Sequence, residues 1–200
     1  MGLIPVDNRQ IATIVTHLEM RARPRPAPMP PLPAGAPPLR LLRWKRPALD
    51  TYRALFRRVG EPWLWFSRLV MADEALARII HDPHVAIHAV TDPAGIELGL
   101  LELDFRKPPD CELSFFGLVP ELTGKGVGRW LMAQAMAMAW RPEVTRLWVH
   151  TCTLDSPAAL GFYIRSGFTP YAREVETFDD PRLLGYLPRD AAPQIPLLAG

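Results

Sequence analysis

No apolar run in this chain of 200 residues reaches membrane-spanning length. The opening Met1-Gly2-Leu3-Ile4-Pro5-Val6-Asp7 lacks the basic stretch and apolar core of a secretory leader, and Val6 stands where a myristoylation signal has Ser or Thr. A soluble, cytoplasmic chain is expected. Cysteine is scarce: Cys111 and Cys152 sit in strand-like apolar runs without metal-ligand spacing, which argues against a disulfide framework and against a bound metal. Charge of one sign is also missing. A net charge of +2, spread along the chain, is too small to make nucleic acid the main partner. The 48% hydrophobic share fits a globular protein with one catalytic domain and an appendage.

Most informative is the stretch from Phe115 to Met132. An apolar run stops at Pro120, passes Gly124, Gly126 and Gly128, and continues into a long apolar segment of helical propensity. Glycines at alternate positions let successive N–H groups converge on one oxyanion, and the new helix adds unpaired N–H groups and its positive dipole end. A phosphate seat is expected. Six residues separate Gly117 from Gly124 and Lys125 is followed by Gly126, which excludes the nucleoside-triphosphate loop. Arg129 and the antiparallel strand pattern upstream exclude the dinucleotide fingerprint.

Residues 10–20 are rich in β-branched side chains and predict a strand that docks on the same domain, or on a partner copy in a homodimer. Eight prolines between Pro24 and Pro38 then predict an extended connector over residues 22–38, a spacer more than a docking peptide. Strands are expected at 39–44, 84–90, 99–105, 111–119 and 146–151. Helices are expected around 50–59, toward Ile80 with Asp73 as cap, and over 126–140, the last buried nearly all round. Trp63, Trp65 and Phe66 are assigned to the core in preference to a pocket wall. Period two puts Cys111, Leu113, Phe115, Gly117 and Val119 on one strand face, and Glu112, Ser114, Phe116 and Leu118 on the other.

The glycine stretch resembles the pyrophosphate loop of the GNAT superfamily of acyl-CoA N-acyltransferases, Q/R-x-x-G-x-G/A. It reads here Thr123-Gly124-Lys125-Gly126-Val127-Gly128 after Val119-Pro120-Glu121, with Thr123 replacing Gln or Arg. The segment Ser156 to Phe168 resembles the same family's later motif, N-x-x-A-x-x-x-Y-x-x-x-G-F, with Ser156 replacing Asn. Ser156 suits an N-cap, Pro157 a first helical position and Gly167 a C-terminal cap.

The resemblance implies an α/β, three-layer fold with a mostly antiparallel twisted sheet, splayed where Leu118-Val119 ends the central strand and flanked by helices. A GNAT domain would span residues 39–180, between the N-terminal strand segment 1–21 with its connector and a tail at 181–200. It also implies acetyl-CoA as co-substrate, an amine as acceptor and no metal. Phe116, Gly117, Leu118 and Val119, the loop residues Thr123, Gly124, Lys125, Gly126, Val127, Gly128 and Arg129, and Ser156 would hold the coenzyme. Tyr163 would protonate the leaving thiolate and Glu112 would take the amine proton, with Asp104, Glu102 and His150 as alternatives. A backbone N–H around Val119 is the expected oxyanion donor, on the premise that the strand opening leaves it without a ladder partner. Two other functions stay open. One is a catalytically silent acyl-CoA binding module, which the departures at Thr123 and Ser156 allow, and the other an interaction protein acting through its proline-rich arm.

Overall fold

The computed structural model describes residues 2–25 and 28–198; Pro26 and Ala27 of the expected connector, Met1 and the last two tail residues lie outside the described residues. Seven strands form one sheet: β1 (Gln10–Met20), β2 (Arg40–Trp44), β3 (Val85–Thr91), β4 (Glu97–Asp104), β5 (Asp110–Leu118), β6 (Arg146–Cys152) and β7 (Thr169–Asp179). Their order is β2-β3-β4-β5-β6-β1-β7. Every pairing is antiparallel except β5 with β6, which runs parallel from Asp110↔Arg146 to Glu112↔Trp148 and stops there. Beyond Glu112 the two strands part, leaving a V-shaped gap in the middle of the sheet. The strand at 10–20 docks in its own chain, between β6 and β7.

Helix α1 (Leu49–Gly60) buries Tyr52, Leu55, Phe56 and Val59, the i, i+3, i+4, i+7 stripe its sequence predicts. Helix α2 (Asp73–Ile80) starts without a side-chain cap: Ala72 occupies the cap position and Asp73, the expected cap, instead accepts from Arg53 Nη1 at 2.7 Å. Helix α3 (Val127–Ala139) follows the glycine loop and buries Val127, Trp130, Leu131, Met132, Ala135 and Ala139. It is not buried all round, because Met136 and Ala137 line the cleft at the gap. Helix α4 (Ala159–Arg165) begins later than expected, with Ala158 at the cap. Ser156 makes a looser turn in which its Oγ accepts the Ala158 N–H at 3.4 Å. At the other end Gly167 adopts φ +101°, and the Phe168 N–H reaches back to the Tyr163 carbonyl, the bond pattern of a glycine-terminated helix. Among the described residues no helix is long and apolar enough to cross a membrane.

The expected alternation along β5 fails at one place. Glu102 pairs with Phe115 but Leu103 pairs with Leu113, so a bulge at Ser114 puts two residues where the partner has one. Past it the faces exchange: Phe115 joins Glu102 on the α1 side, meeting Phe56 edge-to-face at 4.8 Å, while Phe116 turns to Phe162 of α4 at 5.7 Å. Glu112, opposite Asp104, therefore shares a face with Phe115 and Gly117, not with Phe116 and Leu118.

Candidate active site

A cleft of about 1280 Å³ passes through the gap, from the glycine loop and α4 on one side of the sheet to Glu112, His150 and Trp65 on the other. At its upper end Pro120–Leu122 form a 3₁₀ turn, after which Gly124 (φ +76°) and Gly126 (φ +77°) take left-handed conformations that only glycine adopts without strain. Among the described residues, no protein acceptor takes the N–H of Gly124, Lys125, Gly126, Val127 or Gly128; those on either side are used, Thr123 bonding to Pro120 O at 3.0 Å and Arg129 to Gly126 O at 3.1 Å. Unpaired amides at the start of a helix make a seat for an anion. The proline connector flanks this loop, since a Cβ on Gly126 would lie 3.0 Å from Pro33 Cγ. Bulk added at Gly126 would therefore strike the connector, whereas at Gly128 it would point toward Phe162, 3.8 Å away across the cleft.

Among the N–H groups around the end of β5, that of Val119 is not free. The Val119 N–H bonds to Leu98 O at 3.0 Å, which holds the end of β5 against β4. N–H directions alternate along a strand, so the backbone groups of Leu118 and Phe116 face the open gap instead.

Tyr163 lies on α4 at 7% exposure, its ring edge-on to Phe116 and Phe168. Burial, then the charge of Asp155, pushes its phenol above the ordinary value, so it stays protonated at any working pH. The hydroxyl has no protein partner among the described residues and the side chain lines the cleft, leaving its proton available to a ligand.

Glu112 closes the apex of the V. Burial, reinforced by Asp104 and opposed by Lys107, raises its carboxyl to about 7. His150 Nδ1 stands 3.8 Å from its Oε1, and desolvation followed by the nearby His17 pushes that imidazole down, toward the neutral form. The other two candidate acceptors are already engaged. Glu102 is fully buried and accepts from Tyr52 Oη at 2.6 Å and Arg68 Nη2 at 2.7 Å. Burial of Asp104 is outweighed by Arg106, whose Nε bonds to it at 2.9 Å and keeps its carboxyl below the usual range.

The sequence did not point to Asp155. It accepts from Trp65 Nε1 (3.2 Å), Thr151 Oγ1 (2.7 Å) and the Cys152 N–H (3.0 Å), tying the turn after α1 to the end of β6 across the cleft. Trp65 in turn abuts β5 where it has no side chain: a Cβ on Gly117 would fall 2.5 Å from Val59 Cγ1 and 3.1 Å from Trp65 Cη2. The ring packs against the core, as assigned, and also walls the cleft.

A profile of the acetyltransferase (GNAT) family matches residues 49–168. Among solved structures the chain resembles a GCN5-related N-acetyltransferase from Sphaerobacter thermophilus, at 16% identity and TM-score 0.56 over 84% of this chain and 51% of that one. It also resembles a tandem GNAT protein from the clavulanic acid biosynthesis pathway, at 19% identity and TM-score 0.54 over 84% and 53%. An aminoglycoside acetyltransferase from an uncultured soil metagenomic sample, in complex with sisomicin, matches at 14% identity and TM-score 0.52 over 64% and 87%. The chain thus spans about half the length of the first two, and at these identities the likeness is one of fold. No curated protein matches the chain.

Proposed function

The chain belongs to the GNAT acetyltransferase family, and from that premise we propose that it moves an acetyl group from acetyl-CoA directly to a primary amine while both are bound. The observation that carries this reading is the gap between β5 and β6, headed by five loop amides without acceptors. Those amides, with Lys125 and Arg129 beside them, would take the pyrophosphate, and the open edge at Phe116 and Leu118 would pair with the pantetheine arm.

Amide formation requires the amine nitrogen to attack the thioester carbonyl carbon, the C–S bond to break, one proton to leave the nitrogen and one to reach the sulfur. At neutral pH a lysine-like amine is neutral in only about one molecule in a thousand, so a base must accept its proton. Glu112, at about 7, is matched to that task, with His150 the nearest group to relay the proton outward. The N–H groups of Leu118 or Phe116 would stabilise the developing oxyanion in place of Val119. Tyr163, protonated and unpartnered, would donate to the departing thiolate.

Release of coenzyme A from acetyl-CoA, measured with a panel of amines, amino acids and peptides, tests the reading. Tight acetyl-CoA binding without release under any amine would favour the silent binding module instead. The acceptor itself depends on a wall of side chains that fold alone does not specify.

A further inference from the structure

Residues 180–198, about which sequence patterns said little, fold back onto the turn that carries Trp65. Arg182 is 3% exposed, and its guanidinium gathers both limbs of the tail. Nε and Nη2 donate to Asp180 at 3.0 and 2.7 Å, while Nη1 donates to Ala191 O at 3.2 Å and Ile195 O at 2.9 Å. Gln194 Nε2 then reaches Pro62 O at 2.7 Å, and Arg57 Nη1 reaches Tyr186 O at 3.2 Å.

Under this loop lies a second small core, separate from the main one, in which Leu187, Ala191, Ala192 and Ile11 enclose Leu64. Leu64 has φ +56° and ψ +34°, a left-handed conformation that a leucine holds only when its surroundings impose it. The reversal at Leu64 sends Trp65 back, its N–H bonded to Gly60 O at 3.0 Å, so that the ring meets Phe115 at 5.3 Å and the indole N–H meets Asp155.

We infer that the C-terminal tail is a clamp that sets the acceptor side of the cleft: buried Arg182 closes the tail over Leu64, and Leu64 in its left-handed turn places Trp65 beside the gap. Arg182 and Leu64 are positioning residues; neither touches the reacting atoms. With the tail released, the Leu64 side chain loses its enclosure, the turn relaxes to a right-handed conformation and Trp65 leaves the wall. The coenzyme loop stands on other contacts and is unaffected. The effect on acceptor choice rests on the acetyl-transfer reading above.

Arg182→Lys in the full chain keeps the charge facing Asp180 but lacks the planar fork that reaches two carbonyls as well. Leu187→Ala is a second variant that opens the pocket around Leu64 without touching the ion pair. Both should speed amide exchange at Leu64 and Trp65 by about tenfold or more, with Leu100 and Leu101 unchanged. The intact chain is offered putrescine, benzylamine and lysine amide. For whichever it acetylates, KM should rise about tenfold in the variants while KM for acetyl-CoA stays within about twofold. Unchanged exchange, or both KM values moving together, or kcat alone falling, overturns the clamp. If the intact chain acetylates none of these and no other amine, amino acid or peptide of the wider panel, the acetyl-transfer reading fails, and exchange at Leu64 and Trp65 still decides whether the tail holds the wall.

Discussion

The two ends of the cleft are built from different materials. The glycine-loop end is backbone: five amides without acceptors among the described residues, Gly124 and Gly126 with positive φ, and a strand edge left open where β5 and β6 part. The far end is side chain: Glu112, His150, Trp65 and Asp155, brought from β5, β6 and two turns, with a buried arginine clamping the tail behind them. Backbone sites need few residue identities and tolerate departures such as Thr123 and Ser156. Side-chain sites need each identity and each supporting contact. One end should therefore set which coenzyme binds, and the other which amine reacts and at what pH.

Substitutions can separate the two. The largest effect is expected from Tyr163→Phe, which keeps the ring against Phe116 and removes the proton: turnover should fall by about a hundredfold while acetyl-CoA affinity barely changes. Wild-type rates would remove Tyr163 from the chemistry. Gly128→Val comes next. Its side chain fills the space toward Phe162 without meeting the proline connector, so calorimetry should show acetyl-CoA binding weakened by about thirtyfold with the amine side intact.

Glu112→Gln addresses the other end. The wild-type kcat/KM should rise with pH through about 7, as the carboxyl loses its proton and becomes a base. The variant should lack that inflection and run about tenfold slower near neutrality, recovering as the free amine becomes abundant. Stability carries the opposite sign. A carboxyl raised from 4.5 to about 7 holds its proton more tightly folded than unfolded, so it disfavours the fold increasingly as pH climbs through that window. Glu112→Gln should accordingly gain about 1 kcal/mol at pH 8 in denaturant melts. The smallest effect belongs to Asp155→Asn, which keeps the shape but can accept on one side only: with its oxygen toward Thr151 and Cys152, its NH2 faces Trp65 Nε1 and that bond is lost, so amine KM should rise about threefold and acetyl-CoA KM should not move.

How legible each end was in the sequence follows from the same contrast. Glycine spacing before a buried helix is a local pattern, and so are the stripe on α1, the β-branched run of β1 and the glycine stop at Gly167; each signals its structure within a few residues. The bulge at Ser114 is not local. It is set by the pairing of Leu103 with Leu113 and Glu102 with Phe115, and it carries Glu112 to the opposite face from Phe116. Which amide near Val119 stays free was not legible for a related reason, because the partner of the Val119 N–H, Leu98, lies at the start of another strand. Asp155 and Arg182 show no periodicity at all. Their roles arise from contacts to residues 90 positions away for Trp65, and to two carbonyls of a tail without regular structure.

In the proposed complex acetyl-CoA lies with its pyrophosphate on the loop amides and its thioester in the gap. Titrating isotope-labelled protein with acetyl-CoA while following backbone amide resonances tests both halves at once. The account predicts that the amides of Gly124 to Gly128 shift together with those of Phe116 and Leu118, saturating along one binding curve. Loop amides that stay still at saturating acetyl-CoA, or that move while Phe116 and Leu118 do not, would contradict it.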